Sequence, residues 1–580
     1  MKLSLRGTAR RTLIDRFFSY FYSLKTSDRF LMGIAFAAFA ACIVWFGISL
    51  SERYLVETSG QGGVLTEGVL GTPRFINPVL AVTRADKDMS ALIYSGLMQL
   101  GPDGTLVPDI AKSLTVSDDG LVYNVIFRDD VTFHDGAALT SDDVAYTISQ
   151  IQNPSLNSPL RASWDGVSVE VINEHELNFV LSAAYAPFIE NLTVGILPHY
   201  IWKEASTEEF PFSQFNSEPT GSGPYAITKV LRDQSGIPES YVLTAYKDFY
   251  GTDPKIDTLN VLFFTNESKI VTAFNEKTID SVAGLSPEAI GALALNDGEH
   301  TVITATLPRT FAVFFNQNKS TALRDSTARK ALDAAIDRDE LVSTILAGYG
   351  TPITTPIPPG FGIDLEEENA PKTDSLEDAR EMLRAGGWNI NQSTGILEKK
   401  VDGGVVPLSI SIATANTPVF TATAGYIEQK WRALGVDVTV KQFEQSDLTQ
   451  AVIRPRNYEA LLFGTALGRP LDFYSFWHSS QRSDPGLNVA LYANITTDSI
   501  LTKARTDTDL DARKDALIRF MAEIEKETPA VFLYSPVFTY VLPSHITGTN
   551  FTGLAELQER FANIENWYID ADTVWPLFTQ

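Results

Sequence analysis

The alternation of apolar and polar positions predicts a strand, a loop and a helix between residues 310 and 359. Residues 311–315 form an apolar run rich in aromatic side chains, which is typical of a buried strand. After a polar loop, apolar residues recur at spacings of three and four up to Leu346, which predicts one continuous helix. Asp325 and Ser326 are both suited to cap the start of that helix.

The same pattern predicts alternating strands and helices along the rest of the chain. Asp-Gly pairs at 103–104, 119–120 and 135–136 mark turns between apolar runs, and Thr140 begins a segment that caps a helix. Strands that alternate with helices are typical of an α/β fold with parallel strands. The further elements predicted are a strand at 122–127, a helix at 375–386, a strand at 408–414, a helix at 426–434, and strands at 436–440 and 531–534.

Several of these segments carry motifs that resemble one protein family. IYSGL (93–97), LVPDIA (106–111) and LTSDDV (139–144) are similar to the opening of the family-five extracellular solute-binding proteins, the dipeptide- and oligopeptide-binding proteins of ABC importers. RKALDAAIDRDELV (329–342) resembles the centre of the same family. The resemblance extends over about residues 64–580.

The resemblance implies an α/β, two-lobe, periplasmic-binding-protein-like fold of type II with an extra inserted domain. Two strands should cross between the lobes, near residues 307–315 and 530–540. The implied function is capture of a solute between the lobes and its delivery to the permease subunits of an ABC importer. The resemblance also implies that the protein is a monomer. The alternative is a ligand-sensing or adhesive protein on the same fold, without transport. The predicted domains are a basic cytoplasmic tail (1–29), a transmembrane anchor (30–50), a linker (51–63), lobe I (64–105, 220–308 and 536–580), the inserted domain (106–219) and lobe II (309–535).

Peptides and peptide-like solutes suit such a cleft, because their repeated N–H and C=O groups can pair with exposed strand edges. For each aromatic residue expected to contact the ligand, the alternative is core packing, and for each arginine it is a structural or surface ion pair. Arg309 is the strongest expectation because it lies at a predicted crossing. The residues that we expect to contact the ligand are Arg84, Trp164, Arg309, Phe311, Asp472, Trp477 and Asn488.

The position that would anchor the amino end of a peptide departs from the family pattern. The resemblance implies an Asp that pairs with the α-amino group, but the register places Leu467 there. Arg469 follows it, and the nearest acidic residue is Asp472. Either Asp472 reaches the pocket and anchors a free amino end, or the cleft accepts chains without one, such as blocked peptides or internal segments of longer ones.

A membrane anchor is predicted from residues 30–50, which contain no charged side chain. A helix of this length would be about 30 Å long, the thickness of a bilayer core. Residues 1–29 hold seven Lys or Arg and two Asp, so the positive-inside rule predicts a single-pass cell-membrane protein with a cytoplasmic N-terminus and an extracytoplasmic binding domain. The alternatives are a cleaved signal peptide, whose apolar core is usually shorter, and a lipoprotein signal at Cys42.

Composition narrows the classes of function. The net charge of −25 argues against nucleic acid as a partner. The six histidines are scattered, the single cysteine allows no intrachain disulfide, and the sequence has no His-Glu-x-x-His or Gly-x-Ser-x-Gly motif. We therefore expect neither an enzyme nor a metal or other cofactor, and we expect His134 to stabilise a turn.

Overall fold

Two compact units make up the protein, one of residues 1–60 with 570–580 and one of residues 61–569. Apart from scattered residues between 20 and 45, the ranges that the computed structural model describes are 56–296, 298–360, 375–401, 403–469, 471–569 and 571–574.

Among the helices with described bounds, most are short, and the longest two lie in the C-terminal half of the chain. Those with described bounds are α1 (Arg84–Ile93), α2 (Ser141–Gln152), α3 (His199–Trp202), α4 (Glu267–Asn275), α5 (Pro287–Gly291), α6 (Ser326–Ala334), α7 (Arg338–Ile345), α8 (Leu376–Ala385), α9 (Pro418–Leu434), α10 (Gln445–Asp447), α11 (Tyr474–Trp477), α12 (Ile495–Thr506) and α13 (Leu510–Glu527).

The strands alternate with these helices in both halves of the chain. They are β1 (Val56–Ser59), β2 (Val64–Leu70), β3 (Met98–Leu100), β4 (Leu106–Pro108), β5 (Ala111–Val116), β6 (Val122–Phe127), β7 (Val167–Asn173), β8 (Glu176–Leu181), β9 (Tyr225–Arg232), β10 (Pro238–Ala245), β11 (Thr258–Phe264), β12 (Ser281–Ala283), β13 (His300–Thr306), β14 (Arg309–Phe315), β15 (Gly350–Pro352), β16 (Asn389–Ile390), β17 (Leu397–Val401), β18 (Gly404–Pro407), β19 (Ser409–Ala415), β20 (Asp437–Phe443), β21 (Ala460–Ala466), β22 (Ala530–Pro543), β23 (Ile546–Thr547), β24 (Tyr568–Ile569) and β25 (Ala571–Val574).

In the smaller unit, β1 and β25 form an antiparallel pair with Val56 opposite Val574. No helix in the described part of the chain is long and apolar enough to cross a membrane. The predicted anchor at 30–50 lies partly outside the described residues.

Within the larger unit, one sheet joins twelve strands of the described chain, in the order β20-β19-β21-β14-β22-β12-β2-β11-β10-β9, with β13 and β15 also paired to β22. The strand β22 belongs to both halves of this sheet. Its residues 530–536 pair with β14 and β15, whereas residues 537–543 pair with β13 and β12. We call residues 309–536 the second lobe, and residues 61–307 with 537–569 the first lobe.

Parallel pairs lie in both lobes, which confirms the predicted α/β class. In the first lobe β2 pairs in parallel with β11 and β12, and in the second lobe β19 does so with β20 and β21. Each lobe has its own buried clusters, built from first-lobe residues such as Val69 and Tyr540 and from second-lobe residues such as Leu332 and Trp477. An antiparallel sheet of order β5-β6-β8-β7 lies within the first lobe.

His134 joins the predicted turn at residues 135–136 to the turn that precedes β9, as expected for a turn histidine. Its Nε2 lies 3.0 Å from the carbonyl oxygen of Gly223, and its Nδ1 accepts a hydrogen bond from the backbone N–H of Gly221 at 3.3 Å. Burial lowers the pKa of this imidazole. The neutral ring therefore locks the two turns together.

The single helix predicted from Asp325 to Leu346 was wrong, because the segment forms α6 and α7. Asp325 caps α6 as predicted, accepting a hydrogen bond from the N–H of Thr327, but Asp337 then caps a new helix. The side chain of Arg338 is 4% exposed and donates to the carbonyl oxygen of Phe532 in β22 at 2.8 Å. This tertiary contact accompanies the break, and the apolar spacing alone does not reveal it.

Candidate functional site

Arg309 and Phe311 lie at the crossing between the lobes. Arg309 is the first residue of β14, and its half-buried guanidinium has no hydrogen-bond or ionic partner among the described residues. Phe311 stacks on Tyr534 with ring centroids 4.8 Å apart, and a side chain at Gly464 would come within 2.9 Å of the Phe311 ring. An unpaired guanidinium beside an aromatic surface can bind a carboxylate through paired hydrogen bonds.

Arg84 is engaged inside the first lobe. Its Nη2 donates to the carbonyl oxygen of Ala283 at 2.7 Å, and its Nε lies 3.6 Å from the carboxylate of Asp88. The side chain is 16% exposed, and burial lowers its pKa. Arg84 thus forms a structural ion pair, which is the alternative to ligand contact that we gave for each arginine.

Asp472 is paired within the second lobe. Its carboxylate lies 3.2 Å from Nη2 of Arg505 and accepts a hydrogen bond from the backbone N–H of Tyr474. Burial raises the pKa of Asp472, and the charge of Arg505 opposes this shift. A ligand ammonium would have to compete with Arg505 for this carboxylate.

Arg505 also reaches the first lobe. Its guanidinium carbon lies 5.0 Å from the ring centroid of Tyr185, a first-lobe residue, and 4.5 Å from that of Tyr474. Beside it lies a cavity of about 400 Å³ lined from both lobes, by Leu181, Tyr185 and Phe188 among others on one side and by Tyr474, Thr502 and Arg505 on the other. A cavity of this size can hold part of a peptide.

A second arginine of the second lobe, Arg469, makes ionic contacts with the first lobe. Its Nε lies 3.2 Å from Glu190 and its Nη2 lies 2.5 Å from Glu559. Its Nη1 donates to the carbonyl oxygens of Gly104 and Gly553. The side chain is only 11% exposed, so the two lobes enclose it.

The remaining expected contacts lie in hydrophobic cores. Trp164 is 1% exposed and packs against Phe179 and Phe188 in the first lobe. Trp477 is 3% exposed and packs in the second-lobe core. Asn488 is fully buried and holds a loop by donating to the carbonyl oxygens of Trp477, His478 and Tyr492. The structure therefore places Arg309 and Phe311 together at the crossing, and the other expected residues elsewhere.

Sequence reasoning missed Arg505, Glu190 and Glu559, and it noted Arg469 only as a cation near the amino-end position. The pairing partners of Arg469 are far from it along the sequence, since Glu190 precedes β9 and Glu559 follows β22. No local motif marks such a contact. The usable signal was the arginine in a Gly-Arg-Pro turn, directly after an apolar strand.

Comparison with known proteins yields one family. The profile described as "Bacterial extracellular solute-binding proteins, family 5 Middle" matches residues 105–486. The oligopeptide-binding protein AppA of Bacillus subtilis is 26% identical over 516 residues, covering 88% of this chain and 92% of that protein. The dipeptide-binding protein of Escherichia coli is 22% identical over 522 residues, covering 85% of this chain and 93% of that protein.

Solved structures agree with this assignment. The structure of AppA from Bacillus subtilis in complex with a nonapeptide superimposes with a TM-score of 0.65 at 25% identity. The match covers 88% of this chain and 100% of that chain. The murein tripeptide binding protein MppA, in its unliganded open form, gives a TM-score of 0.73 at 18% identity, covering 90% and 99%, which shows the shared fold. The profile match, the relatives and the two-lobe sheet agree, and the chain belongs to the bacterial extracellular solute-binding proteins of family 5.

Proposed function

We propose that this protein captures peptides or peptide-like solutes between its two lobes outside the cytoplasm and delivers them to an ABC importer. The observation that carries the proposal is the change of partners along β22, which joins the two lobes through continuous backbone. A strand shared by two lobes permits them to move about it while each core stays intact. The similarity to oligopeptide- and dipeptide-binding proteins supports peptides as the ligand class.

At the crossing, Arg309 is the proposed partner of a ligand carboxylate. Its guanidinium has no carboxylate partner among the described residues, whereas Arg84 and Arg505 are both paired. Phe311 supplies an apolar surface next to it. Ligand contact stays a prediction for Trp164, Trp477, Asn488 and Asp472.

The amino end of the ligand is proposed to need no acidic anchor. Asp472 already has Arg505 as a partner, and Leu467 cannot pair with an ammonium. Blocked peptides and internal segments of longer chains should therefore bind as well as free peptides. Stranding a buried polar partner costs about 1–3 kcal/mol, so an anchored amino end would show as a clear loss of affinity on acetylation.

The test is a thermal-shift screen of purified protein with a peptide mixture, followed by calorimetry of one bound peptide in three forms: free, N-acetylated and C-amidated. We expect acetylation to change little and amidation to weaken binding, with Arg309→Gln removing the effect of amidation. A loss of more than about 2 kcal/mol on acetylation would contradict the proposal. If Asp472→Asn abolished that loss, Asp472 would be the anchor. No bound peptide at all would refute the ligand class.

We also propose that residues 30–50 anchor the protein in the cell membrane, with the N-terminus in the cytoplasm. The basis is their uncharged run and the basic segment before it. Intact-mass analysis of membrane-extracted protein should show a chain that retains residues 1–29 and carries no lipid on Cys42. A product that begins at Cys42 with added acyl mass would show that the protein is a lipoprotein instead.

A further inference from the structure

The side chain of Arg469 leaves its own lobe and ends in the other. Both carboxylates that it contacts, Glu190 and Glu559, belong to the first lobe, and so do the two carbonyl oxygens to which it donates. A cavity of about 180 Å³ has Arg469 as its one lining residue from the second lobe, among lining residues of the described chain that otherwise come from the first. The guanidinium therefore inserts into first-lobe structure.

The first lobe presents a preformed acceptor for this guanidinium. Glu559 lies in a short 3₁₀ helix (Leu557–Phe561), and its carboxylate is fixed by the backbone N–H groups of Ala555 and Glu556 at 2.6 and 3.1 Å. Gly104 and Gly553, which supply the carbonyl oxygens, lie in two turns that touch each other. A Cβ on Gly104 would lie 3.2 Å from the Cα of Gly553, so the close approach requires glycine.

The loop that carries Arg469 is also specialised. Gly468 and Leu471, on either side of it, have φ angles of +66° and +49°. This left-handed region is unfavourable for leucine and persists only where the surrounding structure enforces it. Leu471 is 5% exposed and packs in the second-lobe core, and this burial supplies that enforcement two residues after Arg469.

We propose that Arg469 is a positioning residue for ligand binding, which docks the second lobe onto the first through Glu190 and Glu559 and so replaces a charged ligand end as the ionic bridge between the lobes. This inference rests on the proposed function and deepens it by naming the ligand class as peptides without a required free amino end. A group that favours the docked arrangement raises the affinity of every ligand that needs docking, whatever its ends. The free amino end of a peptide then contributes little to which peptides the protein binds.

The docking part of the proposal is tested without any ligand. In the full-length chain, Cys42→Ser removes the one native cysteine, and Ser155→Cys and Ser393→Cys place spin labels on exposed positions of the first and second lobe. Pulsed electron paramagnetic resonance then reports the distance between lobes. We expect a narrow distribution in the unliganded parent, and a broadened or shifted one after Arg469→Gln.

Arg432→Gln is the matched control. Arg432 lies 2.8 Å from Glu428 in an ion pair within the second lobe, and this variant should leave the distance distribution unchanged. Arg469→Lys keeps the charge but loses the forked donors, so we expect an intermediate result. Circular dichroism confirms that each variant is folded. Superimposable distributions for the parent and a folded Arg469→Gln would overturn the docking role.

The ligand part is tested with the same peptide in its free and N-acetylated forms. We expect Arg469→Gln to raise the Kd of both forms by the same factor, about tenfold, because docking is lost for each. A rise confined to one form would overturn the claim that Arg469 acts independently of the amino end. If no peptide bound the parent but the label distances still changed, the proposed function would fail while the docking role stood.

Discussion

Arg560 and Arg469 each lie between two carboxylates, but Arg560 has both partners in its own lobe and Arg469 has both in the other lobe. Arg560 is fully buried, and its Nη1 and Nη2 each lie 2.7 Å from one carboxylate oxygen of Asp88, with Glu67 at 3.1 Å. Arg469 has the same count of carboxylate partners at similar distances and remains 11% exposed.

Their surroundings differ more than their distances. Around Arg560 the hydroxyl of Tyr540 donates to Glu67 at 2.9 Å, so the buried charges have further polar partners. Burial lowers the pKa of Arg560, but the charges of Asp88 and Glu67 outweigh burial and raise it. Around Arg469, burial raises the pKa of Glu190 to about 7, and the charge of Arg469 only partly opposes this shift. All members of the first network lie in one lobe, whereas the second network exists only while the lobes touch.

The comparison separates two uses of the same chemistry. A bidentate arginine closed inside one core ties distant segments of the chain together and contributes to folding. An arginine whose partners lie in another lobe contributes to the equilibrium between lobe arrangements, with little effect on either core. Each of the following tests asks whether the two arginines differ in this way.

The largest effect is expected for Arg560→Met. The substitution removes the ion-pair partner of the buried Glu67 and leaves Asp88 with Arg84 alone, and loss of one partner from a buried pair typically costs about 3–5 kcal/mol of the free energy of unfolding. Urea unfolding of the first lobe should show this loss. As a control, Arg432→Met removes an exposed pair and should cost at most about 1 kcal/mol. Equal losses for the two variants would contradict the role given to the Arg560 network.

A smaller effect is expected from salt. Raising the ionic strength to about 1 M shortens the Debye length to about 3 Å, which weakens ion pairs that solvent can reach. The distribution of spin-label distances between the lobes should therefore broaden in the parent at high salt. The free energy of unfolding of the first lobe, to which the buried Arg560 network contributes, should not decrease. In Arg469→Gln the distances should no longer respond to salt. A salt response that persists in this variant would point to a different ionic contact.

The smallest effect concerns pH. Burial raises the pKa of Glu190 from its usual value of about 4.3 to about 7, and the charge of Arg469 opposes this shift without cancelling it, so the buried carboxylate takes up a proton between these two pH values. Charged groups near Glu190 are Arg469, Glu559 and Arg513. The docked arrangement should be favoured near pH 5.5 and weakened above pH 7. Glu190→Gln should remove this dependence of the label distances, and a dependence that survives would assign it to another group.

Local sequence determined much of the fold. The capping residues Thr140, Asp325 and Ser375 all begin helices in the structure, and the predicted strand at 122–127 matches β6 (Val122–Phe127). These features depend on residues within four positions of each other, because caps and strand alternation are local. The family motifs indicated the two-lobe arrangement, which the comparison with solved structures confirmed.

The sequence alone determined several helix starts, the strand periods and the family, whereas the tertiary structure decided which polar side chains meet. From the sequence, Trp164 and Trp477 fit a ligand contact and a core residue equally well, and the structure buries both. A contact with β22 accompanies the break before α7, and the partners of Arg469 come from distant segments. The physical reason is that an ion pair or a buried ring is defined by distances in space. The residues that lie between two such groups in the sequence do not indicate those distances.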